Sequence, residues 1–198
     1  MGSLVAAGFQ QLAEEILHQR GSPPLRSLLV TSCYRREGRT TISLCLARAL
    51  ARRGDARVVL MDGDFANPQL AKQLGLEAEP SFEDVLAGRA EPRDVAVKSL
   101  WDHVSVLLLR GPVEGREELL ETDRLQRAMA EVQRSYDLVV IDGAPIFSSP
   151  NPLLALADVD TALIVARHGQ TPERSIQQAA RRLEEADVEL LGVVRNFL

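Results

Sequence analysis

Three short stretches of this sequence carry residue types suited to phosphate chemistry. The first, Ser32-Cys33-Tyr34-Arg35-Arg36-Glu37-Gly38-Arg39-Thr40-Thr41, lies between a short apolar run and an amphipathic one. Its length and place match a phosphate-binding loop of the pattern G-x-x-x-x-G-K-[ST]. In that device backbone N–H groups and the start of a helix cradle phosphate oxygens. Gly38 would let the backbone approach closely, Thr40 would offer a hydroxyl to Mg²⁺, and Arg39 stands where the loop lysine belongs. The second stretch, Val58 to Pro68, is an apolar run ending in Asp62-Gly63-Asp64. The third, Asp137 to Pro145, is an apolar run ending in Asp142. Carboxylates at such strand ends can hold Mg²⁺, directly or through its water, beside the β- and γ-phosphates of a nucleotide. Taken singly, each stretch has a second reading. The loop lacks the first glycine and the lysine, and reads equally as a basic loop before a helix. Asp62 and Asp142 each read as caps of the turns that follow their strands. Their occurrence together, in this order, is what favours phosphate chemistry.

The elements that must position these residues follow from hydrophobic periodicity. Helical spacing of Phe9, Leu12, Ala13, Ile16 and Leu17 predicts a helix over Phe9 to Gln19, stopped by Gly21-Ser22-Pro23-Pro24. Leu28 to Thr31 reads as a strand, and a helix carrying Ile42, Cys45, Leu46, Ala49 and Leu50 on one face follows, ended by Gly54. Val58 to Met61 is a second strand. Pro68 opens a short helix, and Phe82 to Leu86 forms another, ended by Gly88. Val104 to Leu109 is a strand, and Glu117 to Arg134 a long helix. Leu138 to Ile141, Ala162 to Val165 and Leu190 to Val194 complete the strands, with a helix over Thr171 to Ala186. Alternating helices and continuous apolar strands predict an α/β fold, a doubly wound, mostly parallel sheet flanked by helices. Ligands in such folds bind beyond the carboxyl ends of the strands, where the three stretches end. No linker divides the chain, so residues 1–198 read as a single domain, with 1–25 a docked N-terminal helical arm.

Composition narrows the function classes. The 198 residues are 45% hydrophobic and 26% charged, an ordinary globular balance. A net charge of −5 argues against broad nucleic-acid binding, so no nucleic-acid partner is expected. Two cysteines, Cys33 and Cys45, are too few for a disulfide framework and fit a reducing compartment. No apolar run approaches the roughly 20 residues of a membrane span. His18, His103 and His168 lack zinc spacing, and Cys33 reads as a small loop-start residue rather than a nucleophile.

With these stretches in view, the sequence resembles the cytoplasmic domain of bacterial tyrosine kinases (BY kinases), P-loop proteins of capsule and exopolysaccharide biosynthesis. The family pattern runs roughly S-x-x-P-G-E-G-K-[ST]-T, then L-x-I-D-x-D-x-R-x-P, then D-x-V-I-I-D-x-P-P. Here these stretches read Ser32 to Thr41, Leu60 to Pro68 and Asp137 to Pro145, and the likeness covers roughly residues 9–198. Glu37 favours BY kinases over the partitioning ATPases, whose extra early lysine is supplied by neither Tyr34 nor Arg35. The resemblance implies ATP and Mg²⁺ as cofactors and transfer of the γ-phosphoryl group to tyrosine hydroxyls. It implies nucleotide contacts from Arg36, Glu37, Gly38, Arg39, Thr40 and Thr41, with Asn196 facing the base. It implies metal contacts from Thr40, Asp62 and Asp142, and catalytic roles for Asp62, Asp64 and Arg39. It also implies a membrane chain-length or polysaccharide-export protein as partner, and a cytoplasmic location at the inner face of the membrane through that partner or a fused segment.

Several positions depart from the family pattern. Arg39 replaces the lysine, which is not conservative, because a planar fork cannot follow moving charge as a compact ammonium does. Arg36 replaces a glycine and Arg35 a proline, both reading equally as solvated charges. Ala66 stands for an arginine and Asn151 for an aspartate. The degenerate phosphate loop leads to the expectation of weakened or lost kinase activity and a regulatory role. An active kinase or ATPase is the alternative, and a partitioning-type ATPase the least favoured. The family's N-terminal E-x-x-R-x-x-R pattern falls on Ala7, Gln10 and Ala13, so the family's octameric ring is not expected. The C-terminal tyrosine cluster is absent: only Tyr34 and Tyr136 are present.

Overall fold

The computed structural model describes residues 3–18, 25–52, 56–98, 104–113, 117–147 and 159–197. Its order is α1 (Ser3–His18), β1 (Ser27–Ser32), α2 (Arg39–Arg52), β2 (Val58–Gly63), α3 (Leu70–Leu74), α4 (Phe82–Leu86), α5 (Pro92–Val95), β3 (Val97–Lys98), β4 (Val104–Leu107), a 3₁₀ turn (Glu117–Leu120), α6 (Thr122–Ser135), β5 (Leu138–Gly143), β6 (Thr161–Arg167), α7 (Glu173–Glu185) and β7 (Glu189–Asn196). The strands form one sheet in the order β3-β4-β2-β5-β1-β6-β7. All pairings are parallel except that of β3 with β4.

The continuous apolar runs of β1, β2 and β5 are buried on both faces, as a parallel sheet requires. Strand periodicity then sorts side chains by parity. Leu29, Val59, Met61, Val139 and Ile141 pack with α4, α6 and α7 on one face. Leu28, Val30, Val58, Leu60, Leu138 and Val140 pack with α2 on the other. The docked N-terminal helix joins this second layer, burying Ala13 and Ile16 beside α2. Asp62 and Asp142 continue the parity of Leu60 and Val140. Both therefore stand on the α2 side, where the loop after β1 leads into α2.

Some boundaries differ from the sequence expectation. Helix α3 starts at Leu70, two residues after Pro68. The expected long helix from Glu117 is two pieces, because Glu121 adopts ψ 135° and breaks it. Pro172, also extended at ψ 138°, delays α7 to Glu173. Strand β4 stops at Leu107. The short α5 and β3 were not expected. Gln19, the stop at residues 21–24, Gly54, Trp101, His103 and Asn151 lie outside the described residues.

Candidate functional site

The site is built at the carboxyl ends of β1, β2 and β5. Register sets Asp62 directly opposite Asp142 on the neighbouring strand, and Val30 of β1 on the other side of Asp142. Strand β1 runs out at Ser32, and the chain turns back over these ends before α2 begins at Arg39. The third stretch flanks that turn. Ile146 N–H donates to the Ser32 carbonyl at 2.8 Å and Phe147 N–H to the Cys33 carbonyl at 3.1 Å. The loop and both aspartates thus converge, as the sequence indicated.

The loop's shape depends on two left-handed residues, Arg36 at φ 65° and Gly38 at φ 92°. Gly38 meets its condition, because a Cβ there would lie 2.1 Å from Asn196 Nδ2. Arg36 does not, and its exposed side chain adopts a backbone region costly for L-residues. Glu37 is buried and braces the turn from within: its Oε2 accepts the Tyr34 N–H at 2.9 Å, and its Oε1 accepts the Thr171 hydroxyl. Asn196 Nδ2 donates to the Glu37 carbonyl at 3.0 Å. Glu37 and Asn196, expected to contact nucleotide, therefore meet the loop itself and tie it to the β6–α7 turn and to β7. Thr41 is exposed on the first turn of α2.

Arg39 is the centre of the polar network. Only 8% exposed, it donates from Nη2 to Asp64 Oδ2 at 3.0 Å and from Nη1 to Ser32 Oγ at 3.3 Å. Its Nε lies 3.6 Å from Asp142 Oδ1 and has no hydrogen-bond partner among the described residues. Arg35 adds a second guanidinium to the same carboxylate oxygen, Nη1 to Asp64 Oδ2 at 3.1 Å. Two cations therefore share one buried anion. Asp64 Oδ1 accepts the Asn67 N–H at 3.1 Å.

The other carboxylates are equally engaged. Asp62 Oδ2 accepts the N–H groups of Gln69 and Leu70, each at 3.0 Å, and Oδ1 that of Asp64 at 3.3 Å. The capping reading of Asp62 thus describes its contacts. Burial, and then the charge of Asp142, push its carboxyl up to about 7 against the pull of these three donors. Asp142 is raised by burial, opposed by Arg39 and by hydrogen bonds from Thr40 and Ser43. The Ser43 hydroxyl reaches Asp142 Oδ1 at 3.0 Å. Ser43 was missed in the sequence, although it sits one helical turn after Arg39. Burial, with the Glu37 charge, pushes the Cys33 thiol up to about 12, which suits a packed loop-start residue and not a nucleophile.

These donors fit a phosphate group. A buried guanidinium with one N–H outside any hydrogen bond among the described residues, a second guanidinium and the start of a 14-residue helix lie at the same turn. They do not fit a divalent cation as arranged. Asp62 and Asp64 spend both oxygens on protein donors, and Asp142 takes Ser43 and Thr40 beside Arg39. Among the described residues no cluster of three or more His, Cys, Asp or Glu side chains could hold a metal.

Comparison with known proteins agrees with the fold. A family model described as AAA domain matches residues 37–190. Tyrosine-protein kinase etk of Escherichia coli K12 is 27% identical over 170 residues, covering 85% of this chain but 23% of that protein. Tyrosine-protein kinase CpsD of Streptococcus pneumoniae is 26% identical over 185 residues, covering 91% of this chain and 79% of that one. The solved kinase domain of Escherichia coli ETK superposes with a TM-score of 0.86 at 25% identity, covering 96% of this chain and 74% of that one. The septum site-determining protein MinD of Pyrococcus horikoshii, solved with Mg-ADP, shares the fold at a TM-score of 0.73 and 24% identity, over 87% of this chain and 70% of that one. No described helix is long and apolar enough to cross a membrane.

Proposed function

The chain belongs to the AAA-domain family and is homologous to bacterial tyrosine kinases, and from that premise we propose that it is a nucleotide-binding domain of capsule or exopolysaccharide biosynthesis whose phosphoryl transfer is weakened. The observation that carries this reading is Asp64, buried between the guanidinium groups of Arg39 and Arg35. A carboxylate whose oxygens already accept from two guanidinium groups and the Asn67 N–H is poorly placed to take a proton from an acceptor hydroxyl, because its lone pairs are occupied. Arg39 is likewise spent on protein contacts, where a loop lysine would be free to follow charge on the leaving phosphate.

Phosphate binding itself draws support from the same residues. The start of α2 and the Nε of Arg39, which makes no hydrogen bond among the described residues although it lies 3.6 Å from Asp142, support donation to an anion. Gly38 keeps the backbone open to it. ATP is the nucleotide the reading implies. The reading extends to a regulatory role beside a membrane polysaccharide-export protein, at the cytoplasmic face, and homology to tyrosine kinases supports it. The aligned part of Etk is less than a quarter of that protein.

Calorimetric titration with ATP, run with and without Mg²⁺, tests the reading. Wild type should bind saturably in at least one condition. Gly38→Ala should lose about tenfold or more, because a Cβ collides with Asn196 and strains the cradle at φ 92°. Absence of binding by the wild type under both conditions refutes the reading.

A further inference from the structure

We propose that Arg35 and Arg39 together take the place of a divalent cation in this loop, so that it binds metal-free nucleoside polyphosphate at least as tightly as the magnesium complex. The proposal rests on the nucleotide-binding reading above and specifies the form of the ligand. Magnesium on a nucleotide serves to neutralise neighbouring phosphates and to tether them to protein oxygens. Here both tasks meet obstacles or substitutes. The protein oxygens that would receive the ion already accept protons from the chain: Asp62 from three backbone N–H groups, Asp64 from Asn67 and two arginines, Asp142 from Ser43 and Thr40. Neutralising charge for phosphate is already present in two guanidinium groups, Arg39 set against Asp64 and Asp142 and Arg35 against Asp64 alone.

The geometry lets these cations serve a ligand without leaving Asp64. A guanidinium presents five donors in a fixed fork. Arg39 uses Nη1 on Ser32 and Nη2 on Asp64, and keeps Nε buried without a hydrogen bond among the described residues. Arg35 uses only Nη1 there, and its side chain is 36% exposed at the loop itself. Asp64, almost fully buried, holds both forks at the loop and competes with a ligand for their charge. A metal ion on the ligand would be set against both guanidinium groups, whereas bare phosphate oxygens can accept from their N–H donors.

The test is titration of the whole chain with ATP in excess EDTA and, separately, with excess Mg²⁺. Folding of each variant is checked by circular dichroism. Wild type should bind in EDTA with an affinity equal to or greater than that in Mg²⁺. Arg35→Gln should lose about tenfold or more in EDTA, the loss expected for one hydrogen bond to a charged group. Asp64→Asn serves as a second, independent variant. It should tighten metal-free binding, since it releases both arginines from a competing anion, whereas in a metal-holding site it would weaken binding. Binding by wild type only in Mg²⁺ overturns the proposal and leaves the nucleotide reading standing. Unchanged metal-free affinity in Arg35→Gln, or weaker metal-free affinity in Asp64→Asn, also overturns it. No binding in either buffer overturns both.

Discussion

Replacing Arg36 by glycine should stabilise the fold, although it removes a charged side chain beside a phosphate loop. Arg36 sits at φ 65°, where an L-residue costs about 1–2 kcal/mol. Its side chain is exposed and makes no hydrogen bond or ion pair among the described residues, so nothing is lost with it. Glycine returns about 0.5–1 kcal/mol of that gain through the greater freedom of its unfolded chain. The balance is a net stabilisation of about 0.5–1 kcal/mol. For a chain of this size that corresponds to a rise of about 1–4 °C in Tm. Urea denaturation is the cleaner assay, because a higher midpoint at unchanged m isolates stability from compactness. An unchanged or lowered midpoint at constant m would refute the claim that the loop's left-handed turn carries strain at this position.

Other expectations are independent of that one. Glu37→Ala removes a buried brace between Tyr34, Thr171 and the loop, and should cost about 2–3 kcal/mol in urea denaturation. Asp62 has a folded value of about 7 against an ordinary 3.8, so the folded state keeps a proton that the unfolded chain has released between these limits. Stability should therefore fall as pH rises from about 4 to 7 and level off above, and Asp62→Asn should flatten that slope. The Arg57 guanidinium holds Asp137 down to about 2, so the contribution of this pair is present above the ordinary carboxylate range and is lost as pH falls toward 2. Because both side chains are roughly half exposed, Arg57→Ala should lower the urea midpoint only slightly at neutral pH, and not at all in strong acid. Light scattering should show no octamer, because Ala13 is buried against α2 and Ala7 offers no charge for a ring contact.

Much of the scaffold was legible because parallel strands buried on both faces must be apolar throughout, as Leu28 to Val30, Val58 to Met61 and Leu138 to Ile141 are. The ends of those runs also revealed Asp62 and Asp142, since a carboxylate after a buried strand has few reasons to be there. Short elements escaped. Val97 and Lys98 pair antiparallel to β4, and two residues carry no periodicity. The break at Glu121 escaped because neither glycine nor proline marks it. Within the site, spacing placed Arg39 at the lysine position of the loop, but nothing local predicts that Arg35 reaches Asp64, 29 residues away, or that Asn196 supports the loop. Such contacts depend on how β1, β2 and β7 are ordered in the sheet. Ser43 was accessible in principle, because a polar residue four positions after Arg39 shares its helix face.

Arginine at position 39 is expected to let the loop hold phosphate but to slow its transfer. The most direct measurement is the rate of γ-phosphoryl release and tyrosine phosphorylation by wild type and Arg39→Lys at saturating ATP and Mg²⁺. The expected wild-type rate lies well below the roughly 1–100 s⁻¹ of typical kinases, with Arg39→Lys at least about tenfold faster. A wild-type rate within that range, or a slower Arg39→Lys, would contradict it.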